Sequence, residues 1–307
     1  MTSPSATPYK PPSLWRLGGL HPGDLAKSIV REIGHEDLFG AASHLAFNWL
    51  LALFPMLIFL FAIFGIFASH FTQLEDSLLS FTAGFLPDDA YRLLAQVADE
   101  VTAHTSGAKA AFGIAAALWF ASGGMSALIS TLNVAARVRE SRSWWKVRAI
   151  SLALTLSISI LLSVALFVVT LGDEFVRWFT LRFHSTSPLC SAWKDLEWPA
   201  AVLFVALAFT LIDHFGPDVQ ARSWRLLTPG TVCGVALWLA ACLGFRAYLH
   251  FYNAYTTTYG SLAAFMVLLV WLYATAFAFL IGGAINAEIG RAITGLPAPP
   301  SLSSLPE

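Results

Sequence analysis

Long apolar stretches, whose cores carry no charged side chain, dominate this sequence. Five of them, residues 41–68, 112–132, 150–171, 229–249 and 260–285, supply the roughly 20 helical residues that cross about 30 Å of hydrocarbon. A sixth, 199–212, is shorter and reaches a spanning length only with flanking residues to about 215. Because a helix satisfies its own backbone hydrogen bonds in lipid, these runs predict an all-α, polytopic integral membrane protein with six transmembrane helices.

The composition excludes several other classes of protein. Hydrophobic residues make up 57% of the chain and charged residues 12%, against about 45–50% and about 25% in globular proteins. A soluble fold of this size could not cover its surface with so few charges. A net charge of −1 offers no basic face for nucleic acid. The three cysteines lack metal-ligand spacing, so we expect no metal and no cofactor.

Basic residues in the loops predict the orientation of the spans. With the N-terminus inside, the inner segments hold 12 Lys and Arg residues and the outer segments hold 6, which places both termini in the cytoplasm. The predicted organisation is a flexible Pro-rich tail over 1–22, an amphipathic interfacial helix over 23–37, the membrane domain over 38–290 and a flexible tail over 291–307. An ordered helix is expected in the outer loop, over 88–104.

Uncharged polar residues recur along single faces of the first three spans. In lipid such side chains usually face protein or water. They can line a polar groove, or they can let helices pack closely and form hydrogen bonds between them. The sequence does not separate these alternatives. The candidate groove residues are His44, Asn48, Ser122, Ser126, Asn133 and Ser159.

Two further groups of polar residues lie near the predicted ends of spans. Arg246, Tyr255 and Tyr259 are candidates for contact with lipid headgroups, although Arg246 can equally snorkel to the interface and the tyrosines can belong to an aromatic belt. At the cytoplasmic end the candidate contacts are Glu140, Arg142, Asn286 and Glu288. The last two more often cap and anchor a helix end than bind a substrate.

Several motifs together resemble the YihY/BrkB family of bacterial inner-membrane proteins. They are Ala41-Ala42-Ser43-His44-Leu45-Ala46-Phe47, Leu53-Phe54-Pro55, Leu132-Asn133, Glu140-Ser141-Arg142, Leu227-Thr228-Pro229-Gly230, Tyr255-Thr256-Thr257-Thr258-Tyr259-Gly260, Trp271-Leu272-Tyr273 and Gly282-Gly283-Ala284-Ile285-Asn286-Ala287-Glu288. The resemblance covers about residues 38–290. It implies six helices, cytoplasmic termini and the inner membrane. It implies no single reaction, since members have been discussed as virulence-associated, as transporters or lipid translocators, and under an old ribonuclease label.

Translocation of a lipid or another amphiphile is the function we expect from these residues. An ion-coupled transporter normally holds an ionisable residue deep in its spans, and the predicted span cores hold none. A ribonuclease needs clustered carboxylates or an acid–base pair, which the loops do not offer in sequence, so we expect no enzyme. The alternative is a non-transporting scaffold for envelope proteins, which would use the helix over 88–104 and the basic loop 137–148. Membrane lipids are the expected partners, and the oligomeric state stays open.

Overall fold

The computed structural model describes residues 14–68, 107–183, 188–219, 227–251 and 255–295, with side chains for 14–60 except Arg16 and for 112–165, 199–219, 227–248 and 265–295. Across these ranges the chain forms α-helices, one short 3-10 helix and no β-strand. In chain order the elements are the 3-10 helix Leu14–Gly19, α1 Pro22–His35, α2 Leu38–Ala68, α3 Gly107–Ala136, α4 Trp144–Phe183, α5 Pro188–Phe215, α6 Pro229–Phe251 and α7 Tyr255–Thr294.

Five of the helices contain a stretch that is long and apolar enough to cross a bilayer. These stretches are Leu38–Leu60, Phe112–Ala136, Trp144–Ala165, Pro229–Tyr248 and Phe265–Thr294. The sixth predicted span corresponds to Pro199–Phe215, a shorter apolar part of α5, whose helix begins earlier, at Pro188. The prediction of an all-α, multi-pass membrane protein is confirmed.

The best-buried apolar side chains lie where α2, α3 and α7 meet. Leu38 and Leu45 of α2, Leu128 and Leu132 of α3 and Leu280 of α7 are almost fully buried in one cluster. Outside this cluster, large apolar side chains are exposed on the outer faces of the helices, as in Phe112, Phe120 and Leu243. An exposed apolar exterior around a packed centre is the arrangement expected of a chain whose solvent is lipid.

Small residues let α2 and α3 approach closely. A Cβ atom at Gly124 would lie 2.9 Å from the Cβ of Ala52. The Trp49 indole donates a hydrogen bond to the Gly124 carbonyl at 3.2 Å. A larger side chain at Gly124 would separate the two helices and break this bond, so backbone proximity stabilises the contact here.

The segments near both ends of the described chain differ from the predicted tails. Residues 14–19, assigned to a flexible tail, form the 3-10 helix and pack against α7, where the backbone of Gly18 lies close to Ala292. α7 continues to Thr294, beyond the predicted boundary at 290. The apolar side of α1, assigned to the membrane surface, places Leu25 and Ile29 in the protein core. These apolar side chains pack against protein. The apolar pattern of the sequence does not show whether lipid or protein covers such a face. The predicted helix over 88–104 lies outside the described residues.

Candidate functional site

A polar clamp joins the end of α3, the loop 137–143 and the segment after α5. Asn133 donates from Nδ2 to Glu140 Oε2 at 2.8 Å, and its Oδ1 accepts the Asp218 backbone N–H at 2.8 Å. Arg142 donates from Nε to Glu140 Oε1 at 2.7 Å and from Nη2 to Oε2 at 2.6 Å. Both the backbone N–H and the hydroxyl of Ser141 donate to Asp218 Oδ2. The clamp fixes the loop between the second and third spans.

Hydrogen bonding keeps the acids of this clamp ionised. The guanidinium of Arg142 lowers the pKa of Glu140, and the same contact raises the pKa of Arg142. Hydrogen bonds from Ser141 lower the pKa of Asp218. Arg142 also donates to the carbonyls of Phe215, at 3.2 Å, and Gly216, at 2.7 Å. A cation at the C-terminal end of α5 satisfies carbonyls that have no partner within the helix.

A second cluster of charges ties α1 to the end of α3. Glu32 of α1 is 1% exposed, and its Oε1 lies 3.2 Å from Nε of Arg137. The same Nε lies 3.2 Å from Oε1 of Glu36. Burial raises the pKa of Glu32, while Arg291 and Arg137 act in the opposite direction. Arg137 itself has φ of 54°, so the backbone takes a left-handed turn as it leaves α3.

Arg291 extends this cluster to the end of α7. It lies 2.5 Å from Glu288 Oε2 and 3.3 Å from Glu32 Oε1, and it donates to the Ala136 carbonyl at 3.0 Å. Ser28 of α1 donates to Glu288 Oε1 at 2.6 Å. One arginine thus connects α1, α3 and α7. Breaking such a buried pair by removing one partner usually costs about 3–5 kcal/mol, so the network is a strong constraint on this end of the bundle.

Asn286 has a different role and joins α5, α6 and α7 inside the bundle. Its Nδ2 donates to Asp213 Oδ2 at 2.5 Å, and its Oδ1 accepts the Gly230 N–H at 2.9 Å. Asn286 and Asp213 are 4% and 9% exposed. A cavity of about 10 Å³ adjoins them, bounded also by Thr231, Gly282 and other side chains. A cavity of this size has room for about one water molecule, and not for a lipid headgroup.

The structure does not bring the six predicted groove residues together. Ser122 donates to the carbonyl of Trp119 at 2.7 Å, and Ser159 donates to that of Thr155 at 2.7 Å. Both serines are fully buried. A serine hydroxyl that bonds one turn back along its own helix needs no groove, so these two serines pack helices together. Asn133 belongs to the polar clamp, and Ser126 is half-buried.

His44 and Asn48 form a pair on the exposed side of α2. Asn48 Nδ2 lies 3.2 Å from His44 Nε2 and donates to the His44 carbonyl at 2.8 Å. His44 is exposed and Asn48 is half-buried. Their neighbours on this face, Phe47 and Leu51, are 56% and 60% exposed. A polar pair therefore lies on a surface that is otherwise apolar.

The predicted headgroup contacts are only partly described. Arg246 is exposed on α6. The side chains of Tyr255 and Tyr259 lie outside those that the structure describes, so their contact with headgroups stays a prediction. Glu140, Arg142, Asn286 and Glu288 do cluster at one end of the bundle, but in three separate sets of contacts.

The predicted span cores hold no Lys, Arg, Asp or Glu, but the apolar stretches of the structure extend beyond those cores and include several. Lys146 and Arg148 lie within Trp144–Ala165, Arg246 lies within Pro229–Tyr248, and Glu288 and Arg291 lie within Phe265–Thr294. Asp213 is buried within the shorter apolar stretch Pro199–Phe215. The predicted cores begin at 150 and end at 212, so Arg148 was counted with the preceding loop and Asp213 with the flanking residues. For Glu32, another buried acid that the sequence analysis did not single out, the sequence does indicate burial. Glu32 follows Ile29 by three residues and so lies on the apolar face of α1.

Among the residues described, no three His, Cys, Asp or Glu side chains group as a metal ion would require. The acids that are near one another are bonded to arginine, amide or hydroxyl groups. The arrangement therefore supports structural and recognition roles rather than acid–base chemistry by an available carboxylate pair.

Comparisons with known proteins identify relatives over most of the chain. The family model described as virulence factor BrkB matches residues 29–302. The protein YfkH of Bacillus subtilis, described as ribonuclease-like, is 30% identical over 250 residues, which cover 81% of this chain and 89% of YfkH. A UPF0761 membrane protein of Aeromonas salmonicida is 26% identical over 270 residues, covering 88% of this chain and 90% of the relative. The UPF0761 membrane protein VV1_0885 of Vibrio vulnificus is 27% identical over 298 residues, covering 91% and 86%. No solved structure matches significantly.

Proposed function

This chain belongs to the virulence factor BrkB family of membrane proteins, and from that premise we propose that it translocates a lipid or another amphiphile across the membrane. The observation that carries the proposal is the His44–Asn48 pair on the exposed face of α2.

The His44–Asn48 pair lies at a depth where lipid-exposed polar groups are expensive. His44 and Asn48 follow the first residue of α2, Leu38, by 6 and 10 residues, or about 9 and 15 Å at 1.5 Å per residue. Polar groups facing the acyl region need a partner, and they usually mark the path of a polar substrate. A headgroup that leaves the interface along α2 would meet this pair, while its acyl chains would stay against Phe47 and Leu51.

The pair is chemically suited to a headgroup that carries hydroxyl, amide or phosphate groups. An amide supplies both a donor and an acceptor, and a neutral imidazole supplies one of each. The pair offers hydrogen-bond donors and acceptors without a carboxylate, ammonium or guanidinium group, so its chemistry suits a polar group better than an ion. These properties favour an amphiphile over an inorganic ion as the substrate.

Nuclease activity has weaker support. The description ribonuclease-like belongs to YfkH. In this chain the neighbouring carboxylates at the charged end form ion pairs with arginine or accept hydrogen bonds from hydroxyl groups, namely those of Glu32, Glu36, Glu140, Asp218 and Glu288. Hydrolysis of a phosphodiester requires carboxylates that hold a metal or move a proton. The contacts of these acids support a structural role for them.

A scaffold function also has weaker support. The basic loop 137–148 was the cytoplasmic docking surface expected for a scaffold. Two of its arginines, Arg137 and Arg142, contact acids of the chain itself. Arg139 and Lys146 are exposed. We further propose that the charged end faces the cytoplasm and that the membrane is the bacterial inner membrane, since the loop arginines and lysines favour that orientation.

Lipid translocation is tested by reconstituting the full chain in liposomes and measuring the transbilayer movement of fluorescently labelled lipids. The panel includes anionic, zwitterionic and glycosylated headgroups. We expect faster movement than in protein-free liposomes for at least one headgroup class. Rates equal to those of protein-free liposomes across the whole panel would refute the proposal.

The role of the polar pair is tested separately with His44→Leu/Asn48→Leu. Loss of its hydrogen bonds to a passing headgroup should slow translocation about tenfold or more. Leu243→Ala is the matched control, because it alters an exposed apolar position on another helix, α6, without removing a polar group, and it should leave the rate unchanged. If the wild type is active and the double variant is equally fast, translocation stands but its route does not follow this pair.

A further inference from the structure

Arg148 of α4 is a cation with an unusual set of neighbours. Its Nη2 donates to the carbonyl of Trp119 at 2.5 Å, and its Cζ lies 4.1 Å from the centroid of the Trp119 indole. The same carbonyl also accepts the Ser122 hydroxyl at 2.7 Å. The Nε of Arg148 is buried and has no hydrogen-bond partner. Among the described residues, the shared Trp119 carbonyl is thus the hydrogen-bond acceptor found for a group with five N–H donors.

Three other arginines in the described part of the chain pair with carboxylates. Arg137, Arg142 and Arg291 each lie within 3.3 Å of a carboxylate oxygen. For Arg148, no ion pair with a described residue is found. Arg148 is half-buried, so its charge is partly withdrawn from water without an opposite charge, and it carries part of the cost that makes buried charges normally paired. Its cation–π contact with Trp119 offsets only part of that cost.

The position of the guanidinium along α3 places it within an apolar span. Trp119 precedes the last residue of α3, Ala136, by 17 residues and follows Phe112 by 7, or about 25 and 10 Å along the helix. The stretch Phe112–Ala136 is one of the five that are apolar enough to cross a bilayer. Arginine inside such a stretch is by default a candidate binding residue.

The surroundings of Arg148 are open to lipid and rich in aromatic side chains. Trp119 and its neighbour Phe120 are 40% and 66% exposed. Trp144 and Trp145 precede Arg148 by four and three residues, so they share its side of α4, and they are 60% and 73% exposed. A molecule that fits here carries an anion for the guanidinium and apolar chains for the exposed indole and phenyl rings.

We propose that Arg148, with Trp119, binds the phosphate of an anionic phospholipid. Guanidinium presents two parallel N–H donors that match two phosphate oxygens, which gives the pairing both strength and orientation. The Nε is enclosed by protein atoms, so the contact with phosphate falls to the terminal nitrogens of this half-buried side chain. A free phosphate ion shares this chemistry, but the apolar exterior favours the lipid. Binding of the lipid does not require that the protein translocate it.

The test measures binding of tail-labelled phosphatidylglycerol to the purified full chain in zwitterionic nanodiscs. A labelled glycosyl diacylglycerol, which lacks phosphate, is the reference probe. We expect phosphatidylglycerol to bind the wild type more tightly than the reference, and Arg148→Gln to weaken its binding about tenfold. Arg139→Gln is the matched control, since it removes one exposed loop charge. Salt at about 0.15 M screens exposed charges, so this variant should bind phosphatidylglycerol within about twofold of the wild type.

Further variants and probes separate the possible outcomes. Arg148→Lys keeps the charge but not the fork of donors, so it should bind phosphatidylglycerol more weakly than the wild type, and it carries the comparison if Arg148→Gln does not fold. Inorganic phosphate should not displace the lipid; complete displacement would assign the site to a free anion and overturn the proposal. Equal phosphatidylglycerol affinities for the wild type and the Arg148 variants would overturn it as well.

Discussion

Replacing Gly230 by alanine should destabilise the contact between α6 and α7. A Cβ atom at this position would collide with the carbonyl oxygen of Gly282 and would lie 2.5 and 2.6 Å from Cγ and Oδ1 of Asn286. Ordinary contacts of a Cβ begin at 3.4 Å. The obstacles are a helix backbone and a side chain held by Asp213, so neither can move without breaking existing contacts.

The magnitude follows from three contributions. Forcing a methyl group into a packed contact typically costs about 1–3 kcal/mol. Separation of the helices also weakens the bond from the Gly230 N–H to Asn286, and a buried polar group left without its partner costs about 1–3 kcal/mol. The higher helix propensity of alanine returns up to about 1 kcal/mol. We therefore expect a net loss of about 2–4 kcal/mol in the free energy of unfolding.

The assay is thermal unfolding in detergent, followed by fluorescence-detected size-exclusion chromatography. At about 2–4 °C per kcal/mol for chains of this general size, Gly230→Ala should lower the midpoint by roughly 4–16 °C. Gly244→Ala on the same helix is the control, because a Cβ there meets no atom within 4 Å. It should leave the midpoint unchanged or raise it slightly. Equal midpoints for the two variants would refute the close approach of α6 and α7.

Two further predictions concern the charged contacts and use the same unfolding assay. Glu140→Gln removes a carboxylate whose pKa is lowered mainly by Arg142. A carboxylate with a lowered pKa stabilises the fold at pH values above its unfolded pKa, and this stabilisation is lost as the pH falls through the folded pKa. The wild type should therefore be more stable than this variant near pH 7, and the difference should vanish in acid; a difference that persists there would contradict the assignment. Arg291→Met leaves the buried Glu32 with one cation fewer and should cost about 2–4 kcal/mol. Arg139→Met, at an exposed position, should change stability by no more than about 0.5 kcal/mol, and an equal effect of the two substitutions would show that the network is not stabilising.

The membrane fold was readable from sequence because apolar length is a local property. Each run of about 20 apolar residues predicts one spanning helix without knowledge of its neighbours. The predicted boundaries were less accurate, since a helix does not end where its apolar run ends. α4 begins at Trp144 and α5 begins at Pro188, outside the runs that start at 150 and 199. Arg148 was missed for this reason.

The contacts of the candidate site were less readable because they depend on which helices are neighbours. Asn133 and Glu140 are only seven residues apart, but nothing local indicates that Asp218, 85 residues after Asn133, completes the clamp. The serines of the second and third spans show the converse, a local pattern that is compatible with two structures. Polar residues on one face of a helix suit a groove, and they equally suit hydroxyls that donate to carbonyls of their own helix. Ser122 and Ser159 donate in this way, which favours the second interpretation.

The basic residues that predict the orientation of the spans fall into two groups, one paired with acids inside the fold and one exposed. Arg137, Arg142 and Arg291 count towards the excess of charge on the inner side, yet each contacts an acid and two of them donate to backbone carbonyls. Their charge is largely neutralised within the fold. The charge that remains exposed in the described segments at this end lies on Lys27, Arg31, Arg139 and Lys146. Because exposed cations interact with anionic headgroups while paired ones do not, the exposed group should hold the protein's position at the membrane surface. The paired group determines which helices meet at this end of the bundle.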